Sequence, residues 1–314
     1  MKKKLIVIAS IILIIGAVTI FTFYNKTYET VSDNEQIENI ENISPAPGNY
    51  VTIASYDANG VPLLDTSNIE VGDNSKASLI ITLENGIDHT RDYKLLVLQN
   101  YIQSDFYVEN QKSKNKSYLF HVKSREEVDL PISVDINKDT EEIIFLIIKE
   151  PDDIITEFDI KKMYYYEEVY AKRFLVDDGN NHPQIKFKEP DFEYRSEVDN
   201  TPIFLSDLQH ERKVLPSTKE NSIAYLHMGS PHKDEETRYA VIALQNWNQA
   251  RINQDLVLYI NAPQNKTVGY EVGIPYIEKK QENLQFIAFP YPYENWSEKY
   301  YRKVEYSFRT AIVK

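Results

Sequence analysis

The chain has 314 residues, 42% of them hydrophobic, and no cysteine, so it holds enough apolar material for two cores and is not a disordered polypeptide. The missing cysteine excludes disulfides, thiolate nucleophiles, iron–sulfur clusters, zinc-thiolate sites and lipobox-type anchors. Formal charge is −13, and the part after Lys2, Lys3 and Lys4 holds 32 basic against 48 acidic residues, a net of −16; nucleic acid is not an expected partner, because phosphate binding needs a basic face.

Met1-Lys2-Lys3-Lys4 precedes an uncharged run, Leu5 to Tyr24. Twenty residues at about 1.5 Å each reach about 30 Å, the thickness of a bilayer's hydrocarbon core. A cleavable signal peptide has a shorter apolar part and a small-residue cleavage site. Here the run leaves through Ile20-Phe21-Thr22-Phe23-Tyr24, with aromatics where an interfacial belt puts them. The expectation is an uncleaved single-pass anchor, its lysines cytoplasmic and residues 25 onward outside the membrane. Residues 25–48 are polar and acidic and end in Pro45-Ala46-Pro47-Gly48, the composition of a flexible stalk.

From residue 49 the chain reads as one module written twice. Leu98-Gln99-Asn100-Tyr101-Ile102-Gln103 returns as Leu244-Gln245-Asn246-Trp247-Asn248-Gln249. Each copy closes an apolar run, Tyr93 to Leu98 and Tyr239 to Leu244, dense enough for a strand buried on both faces. Other matches keep the same order. Gly86-Ile87-Asp88-His89 answers to Gly229-Ser230-Pro231-His232, Phe145 to Pro151 answers to Phe286 to Pro292, and Tyr165-Tyr166 answers to Tyr300-Tyr301.

Strand signals in the first module fall at 50–56, 78–83, 93–98, 117–123, 127–134, 142–149 and 163–176, separated by turns such as Asp57-Ala58-Asn59-Gly60. No twelve-residue stretch carries a 3.6-residue period, so no long helix is expected. Asp177-Asp178-Gly179-Asn180-Asn181-His182-Pro183 opens a linker. Further strands are expected at 222–227, 240–245, 254–260, 267–274, 284–289 and 300–313, with Leu205 to Lys213 a short helix or lid. The fold class expected is mainly β: an N-terminal transmembrane helix, then two tandem immunoglobulin-like β-sandwich domains related by internal duplication. The divisions are 1–24 (lysines and anchor), 25–48 (stalk), 49–176 (first sandwich), 177–190 (linker) and 191–314 (second sandwich), each sandwich able to fold alone.

Motifs of chemistry are scarce. Nine thinly spread glycines leave no phosphate-cradling loop, and neither a Gly-x-Ser-x-Gly elbow nor a His-Glu-x-x-His helix can be written. Asp135-Ile136-Asn137-Lys138-Asp139 imitates the start of a calcium loop, but Thr140 stands where glycine is needed and Leu146 where a bidentate glutamate is needed, so a polar turn is expected. His227 and His232, followed by Asp234, Glu235 and Glu236, could supply metal ligands; recurrence of His232 as His89 favours a structural role, the imidazole bonding carbonyls of a tight turn. Neither a metal nor another cofactor is expected.

Gln99, Asn100, Gln245 and Asn246, amides just past a buried strand, are expected to satisfy backbone groups of a neighbouring connection. Phe289-Pro290-Tyr291-Pro292-Tyr293-Glu294-Asn295-Trp296 departs most from the first module, where Ile148 to Asp153 is charged. Tyr291, Tyr293 and Trp296 are therefore the candidate binding residues, as an aromatic loop that grips a sugar or protein partner; the competing reading is a lid folded on its own core. Asn-x-Ser/Thr sequons occur at Asn25, Asn42, Asn115, Asn265 and Asn295, but a cysteine-free, Lys/Ile/Asn-rich exported chain suits a Gram-positive bacterial surface, where they mean little. The functional expectation is a non-catalytic, membrane-anchored binding or scaffolding protein of the cell envelope, with an envelope protein or glycan as partner. The alternative is an envelope enzyme with a site between the two modules.

Overall fold

Two kinds of strand alternate in the first half of the chain, and their burial patterns decide which layer each occupies. The computed structural model describes residues 50–65, 67–109, 111, 113–176, 184–195, 203–209, 213–230, 235–294 and 304–314. The first half contains β1 (Val51–Asp57), β2 (Lys76–Asn85), β3 (Arg91–Gln99), β4 (Ile102–Ser104), β5 (Tyr107–Val108), β6 (Tyr118–Val122), β7 (Glu127–Asp135), β8 (Glu142–Lys149), a helix α1 (Ile160–Tyr166) and β9 (Val169–Leu175). One sheet has the order β1-β2-β7-β5; the other is β4-β3-β8-β9, with β6 also pairing β3. In β2 and β7 every second residue is buried, the period of a sheet with one face in a core and one toward solvent. All eight residues of β8 are buried, so its sheet is covered twice. Tyr93, Leu95, Val97, Ile143, Phe145 and Ile147 face the first sandwich's own core. Leu96, Leu98, Ile144, Leu146 and Ile148 face the other way.

The second half repeats the scheme with β10 (Phe192–Arg195), β11 (Ile203–Ser206), β12 (Ser217–Lys219), β13 (Ile223–Gly229), β14 (Thr237–Gln245), β15 (Asn248–Ala250), β16 (Leu258–Ala262), β17 (Lys266–Gly273), β18 (Gln281–Pro290), β19 (Glu305–Tyr306) and β20 (Thr310–Val313). Its outer sheet is β10-β17-β13-β11. The inner one is β12-β20-β18-β14-β15, with β16 on β14 and β19 on β18. Tyr239, Val241, Ala243, Leu284, Phe286 and Ala288 fill its own core, while Ala240, Ile242, Leu244, Ile287 and Phe289 turn outward onto the first half.

The result is four sheets in a stack, two sandwiches pressed together by their inner sheets around a third apolar core. The mainly β, sandwich-type expectation holds. The doubly buried central strands predicted from their apolar runs are β3 and β14, and the second cover of each is the neighbouring sandwich.

Two local expectations change. The Tyr-rich run expected as a strand from 163 begins instead as α1, because the Asp159 carboxylate caps the N–H groups of Lys161 and Lys162 and Met163 is buried with Ile155 and Phe308. Leu205 lies in strand β11 rather than a helix. Among the described residues no helix is long and apolar enough to cross a membrane. The expected anchor and stalk lie outside the described residues, as does the first part of the linker, 177–183.

Candidate functional site at the seam between the sandwiches

The repeated hexapeptide is a two-residue β-hairpin in both places. β3 pairs with β4 from Gln99–Ile102 outward, and β14 with β15 from Gln245–Asn248 outward. The two turn residues have positive φ in each copy: 48° at Asn100 and 66° at Tyr101, 46° at Asn246 and 67° at Trp247. This is the turn whose twist matches paired strands, and asparagine tolerates its first position well. A Tyr or Trp at the second position is strained, and burial offsets the strain: both rings lie within the seam, 0% and 1% exposed.

The last residue of each hexapeptide ties the halves together reciprocally. The Gln103 backbone N–H donates to Gln249 Oε1 at 2.7 Å, and the Gln249 backbone N–H donates to Gln103 Oε1 at 2.7 Å. Gln249 Nε2 donates to the Tyr101 carbonyl at 2.8 Å and Gln103 Nε2 to the Trp247 carbonyl at 3.3 Å. Such an exchange, i to j and j to i, is the bonding of a two-fold interface, here within one chain.

Two arginines follow the same rule. Arg173 on β9 lies opposite Ile144 of β8, and Arg309 precedes β20 beside β18. Arg173 donates to the Pro290 carbonyl of the other half at 2.8 Å; Arg309 donates to the carbonyls of Lys149 and, at 2.7 Å, Glu150. The first site carries a carboxylate, Glu142, 2.6 Å from Arg173 Nε and bonded also to the Tyr101 hydroxyl. The matching residue on β18 is Asn283, whose amide donates to the Asp153 carbonyl at 2.9 Å. Burial works against the Arg173 cation, but Glu142 and Tyr101 outweigh it and hold its pKa above the usual value. Arg309, with no such carboxylate bonded to it, is pushed down by burial, with Asp153 and Glu150 opposing the shift. Burial, then the Glu142 charge, raises the Tyr101 phenol well above its ordinary range.

Tyr291, its N–H bonded to the Arg238 carbonyl of its own half, stands two residues before Tyr293, which belongs to this seam. They are 4% and 3% exposed. The Tyr293 N–H donates to Glu142 Oε2 at 3.1 Å, its hydroxyl lies 2.9 Å from that of Tyr259, and its ring meets Tyr101 edge-on at 5.2 Å. The expected gripping loop thus has two of its three aromatics turned inward as the lid, because the chain after β18 is the seat for Tyr101. The equivalent seat in the first half is the chain after β8, where the Pro151 carbonyl accepts from Trp247 Nε1 at 2.6 Å. Trp296 lies outside the described residues.

Three of the four amides, those of Gln99, Asn100 and Gln245, satisfy backbone groups. Gln99 Nε2 donates to Ser104 Oγ and the Asp135 carbonyl, and its Oε1 accepts from the Asn137 N–H and Thr140 hydroxyl, all at 2.7–3.0 Å. Asn100 binds the Asp139 carbonyl and the N–H groups of Glu141 and Glu142. Gln245 Nε2 donates to the Tyr276 carbonyl and Glu282, each at 2.8 Å. Asn246 contributes its backbone N–H, to the Asn283 carbonyl at 2.8 Å. Gln99→Ala should lower stability by about 1–3 kcal/mol, read from the urea midpoint, because four partners, the buried Thr140 hydroxyl among them, lose their bonds together; an unchanged midpoint would show that water replaces the amide.

The histidine turn works otherwise than expected. His89 is exposed beside Asp88, and Asn85 Nδ2 instead gathers the carbonyls of His89, Val122 and Lys123. His232 and Asp234 lie outside the described residues. His227 is fully buried between Tyr194 and the Leu208 carbonyl, 3.1 Å from each, and stacked on Phe204. Among the described residues no group of three His, Cys, Asp or Glu side chains is placed to hold a metal. Asp135 of the calcium-like stretch pairs with Lys114 at 2.8 Å and Lys76 at 3.5 Å. Sequence reading missed Glu142, Arg173, Arg309, Gln103 and Gln249; the two glutamines carried a signal, since they close both copies of the repeat.

No family model and no curated protein matches the chain. Among solved structures it is similar to the E. coli chaperone DraB, at 11% identity over 84% of this chain and 97% of that one, with a TM-score of 0.25. It is also similar to the CsuC–CsuE chaperone–tip adhesion subunit pre-assembly complex of Acinetobacter baumannii, at 10% identity over 83% and 98% of the chains, TM-score 0.24. A third likeness is to red sea bream transglutaminase, at 8% identity and TM-score 0.22, where 84% of this chain spans 31% of the enzyme. These scores are low, and the fold described above rests on its own strand pairing.

Proposed function

We propose that the chain is a membrane-anchored, extracytoplasmic binding or scaffolding protein of a bacterial cell envelope, non-catalytic, presenting two immunoglobulin-like sandwiches related by internal duplication. The observation that carries this reading is the use to which the repeated residues are put. Tyr101, Trp247, Gln103 and Gln249 join the halves, and the amides behind them hold backbone turns. What the chain repeats is therefore a device of assembly, and apolar side chains of both halves pack against one another between them. A stiff double sandwich on a tether suits presentation of outer surfaces to an envelope partner.

Co-purification from native membranes, run beside an activity screen against wall polymers, tests the reading. A partner held in fixed proportion without turnover supports it; turnover by the purified chain sinks it. For the anchor, protease added to wall-stripped cells should cut within 25–48 and release nearly the whole remainder as one fragment. Recovery of a soluble mature protein beginning near residue 25 would refute an uncleaved anchor.

A further inference from the structure

We propose that one end of the double sandwich, the end at which the chain enters at Tyr50, rests on the outer surface of the lipid bilayer and inserts apolar side chains into it; this deepens the anchoring reading above and rests on it.

The strand register defines that end. Val51 of β1 pairs with Asn85 at the close of β2, and the Tyr50 ring lies directly over Gly86, where any Cβ would come within 2.5 Å of it. The same end holds the start of β3, the close of β6 and the close of β8, since Arg91 pairs with Val122 and Tyr93 with Lys149. It therefore also holds α1, between β8 and β9, and the Arg91 guanidinium sits 5.0 Å over the Tyr165 ring. The second sandwich brings the close of β14 and the start of β18 to this place: Asn283 donates to the Asp153 carbonyl at 2.9 Å, and Phe308 meets Tyr164 at 5.1 Å. With them come the start of β13, the close of β17 and the close of β20, through Ile223–Gly273 and Gln281–Val313.

Apolar side chains stand out from this end in both sandwiches. Phe158, Ile160 and Tyr164 are 65%, 39% and 61% exposed on α1 and its approach, and Ile223 and Tyr276 are 58% and 61% exposed opposite. Met163 docks the helix, and Tyr164 keeps most of its surface exposed while its ring edge meets Phe308. Aromatic and aliphatic tips with lysines beside them are the pattern of a surface lying in the membrane interface. Lys161, Lys162, Lys279, Lys280 and Lys314 supply the lysines, long enough to lift their charges clear of the apolar tips. Exposed carboxylates are present too, at Asp152, Asp153, Glu157 and Glu278 and, beside the exposed Lys123 and Arg125, at Asp88, Glu126 and Glu127, while Asp159 is committed to its helix cap. Local charge is thus close to balanced. The rest of the acidic chain is screened beyond about 8 Å at physiological salt, so the contact is apolar in origin and insensitive to salt.

The absence of cysteine permits a direct test. The full chain carrying Thr156→Cys near Phe158, or Lys138→Cys on the β7–β8 turn at the far end, is labelled with an environment-sensitive dye and reconstituted in phosphatidylcholine–phosphatidylglycerol vesicles. The expected result is flotation with the vesicles, a blue shift and a several-fold fall in iodide quenching at 156 but not at 138, unchanged by high salt. Adding Phe158→Ser and Tyr276→Ser should restore quenching at 156, with circular dichroism unaltered. Flotation with equal quenching at both positions leaves the anchor standing and overturns the lipid contact. Protection at 156 only in native membranes gives the surface to a protein partner and likewise overturns it. Failure to float removes the anchor and this proposal together.

Discussion

Glu142→Gln is expected to destabilise the protein by about 3–5 kcal/mol, because it takes away the carboxylate that bonds the charged, buried Arg173. The same change weakens the anchoring of Tyr101 and of the Tyr293 N–H, which both bond Glu142. The loss should appear as a lower urea midpoint with a similar slope, since the whole seam fails together. Replacing the pair by apolar residues, Glu142→Leu with Arg173→Met, should recover most of it, because the desolvation of two charges is removed along with their attraction. A loss below about 1 kcal/mol in the single variant would place Glu142 among water-accessible groups.

Cutting the chain in two should have a still larger effect. Residues 49–176 alone would expose Leu96, Leu98, Tyr101, Ile144, Leu146 and Ile148 on one sheet face, an apolar patch of the kind soluble monomers avoid. The expected product is a self-associated dimer or an aggregate rather than the independent monomer anticipated from sequence. A dimer is favoured because the seam is already two-fold in its bonding: the fragment carries both Gln103 and the Tyr101 carbonyl, and both Arg173 and the Lys149 carbonyl that matches Pro290. Sedimentation of each half, alone and mixed, checks this. A stable, monodisperse monomer of 49–176 would show that the seam contributes little.

The comparison of sequence with structure turns on what a local pattern can express. Tyr93 to Leu98 and Tyr239 to Leu244 announced doubly buried strands, because burial on both faces abolishes alternation. The pattern cannot say whether the second cover is part of the same sandwich or of its neighbour, and so the third core stayed hidden. Gln99 and Asn100 were legible as backbone-satisfying amides from their place after a buried strand. Arg173 and Arg309 were not, since each is a charged residue whose meaning depends on a register more than a hundred residues distant. Tyr291 and Tyr293 misled for the opposite reason: two prolines mark a strand exit, yet this exit is where the other sandwich's Tyr101 is seated.

The placement of β1 also bears on mechanical force. A tether pulling at Tyr50, against a partner held at the far end, draws β1 along its own axis while β2 stays with the body of the sheet. The seven residue pairs from Val51–Asn85 to Asp57–Leu79 then resist in shear, all at once, instead of peeling one by one. Rupture under such a pull is governed by the rate of unfolding, and a shear geometry slows that rate most when the load runs along β1 from Tyr50.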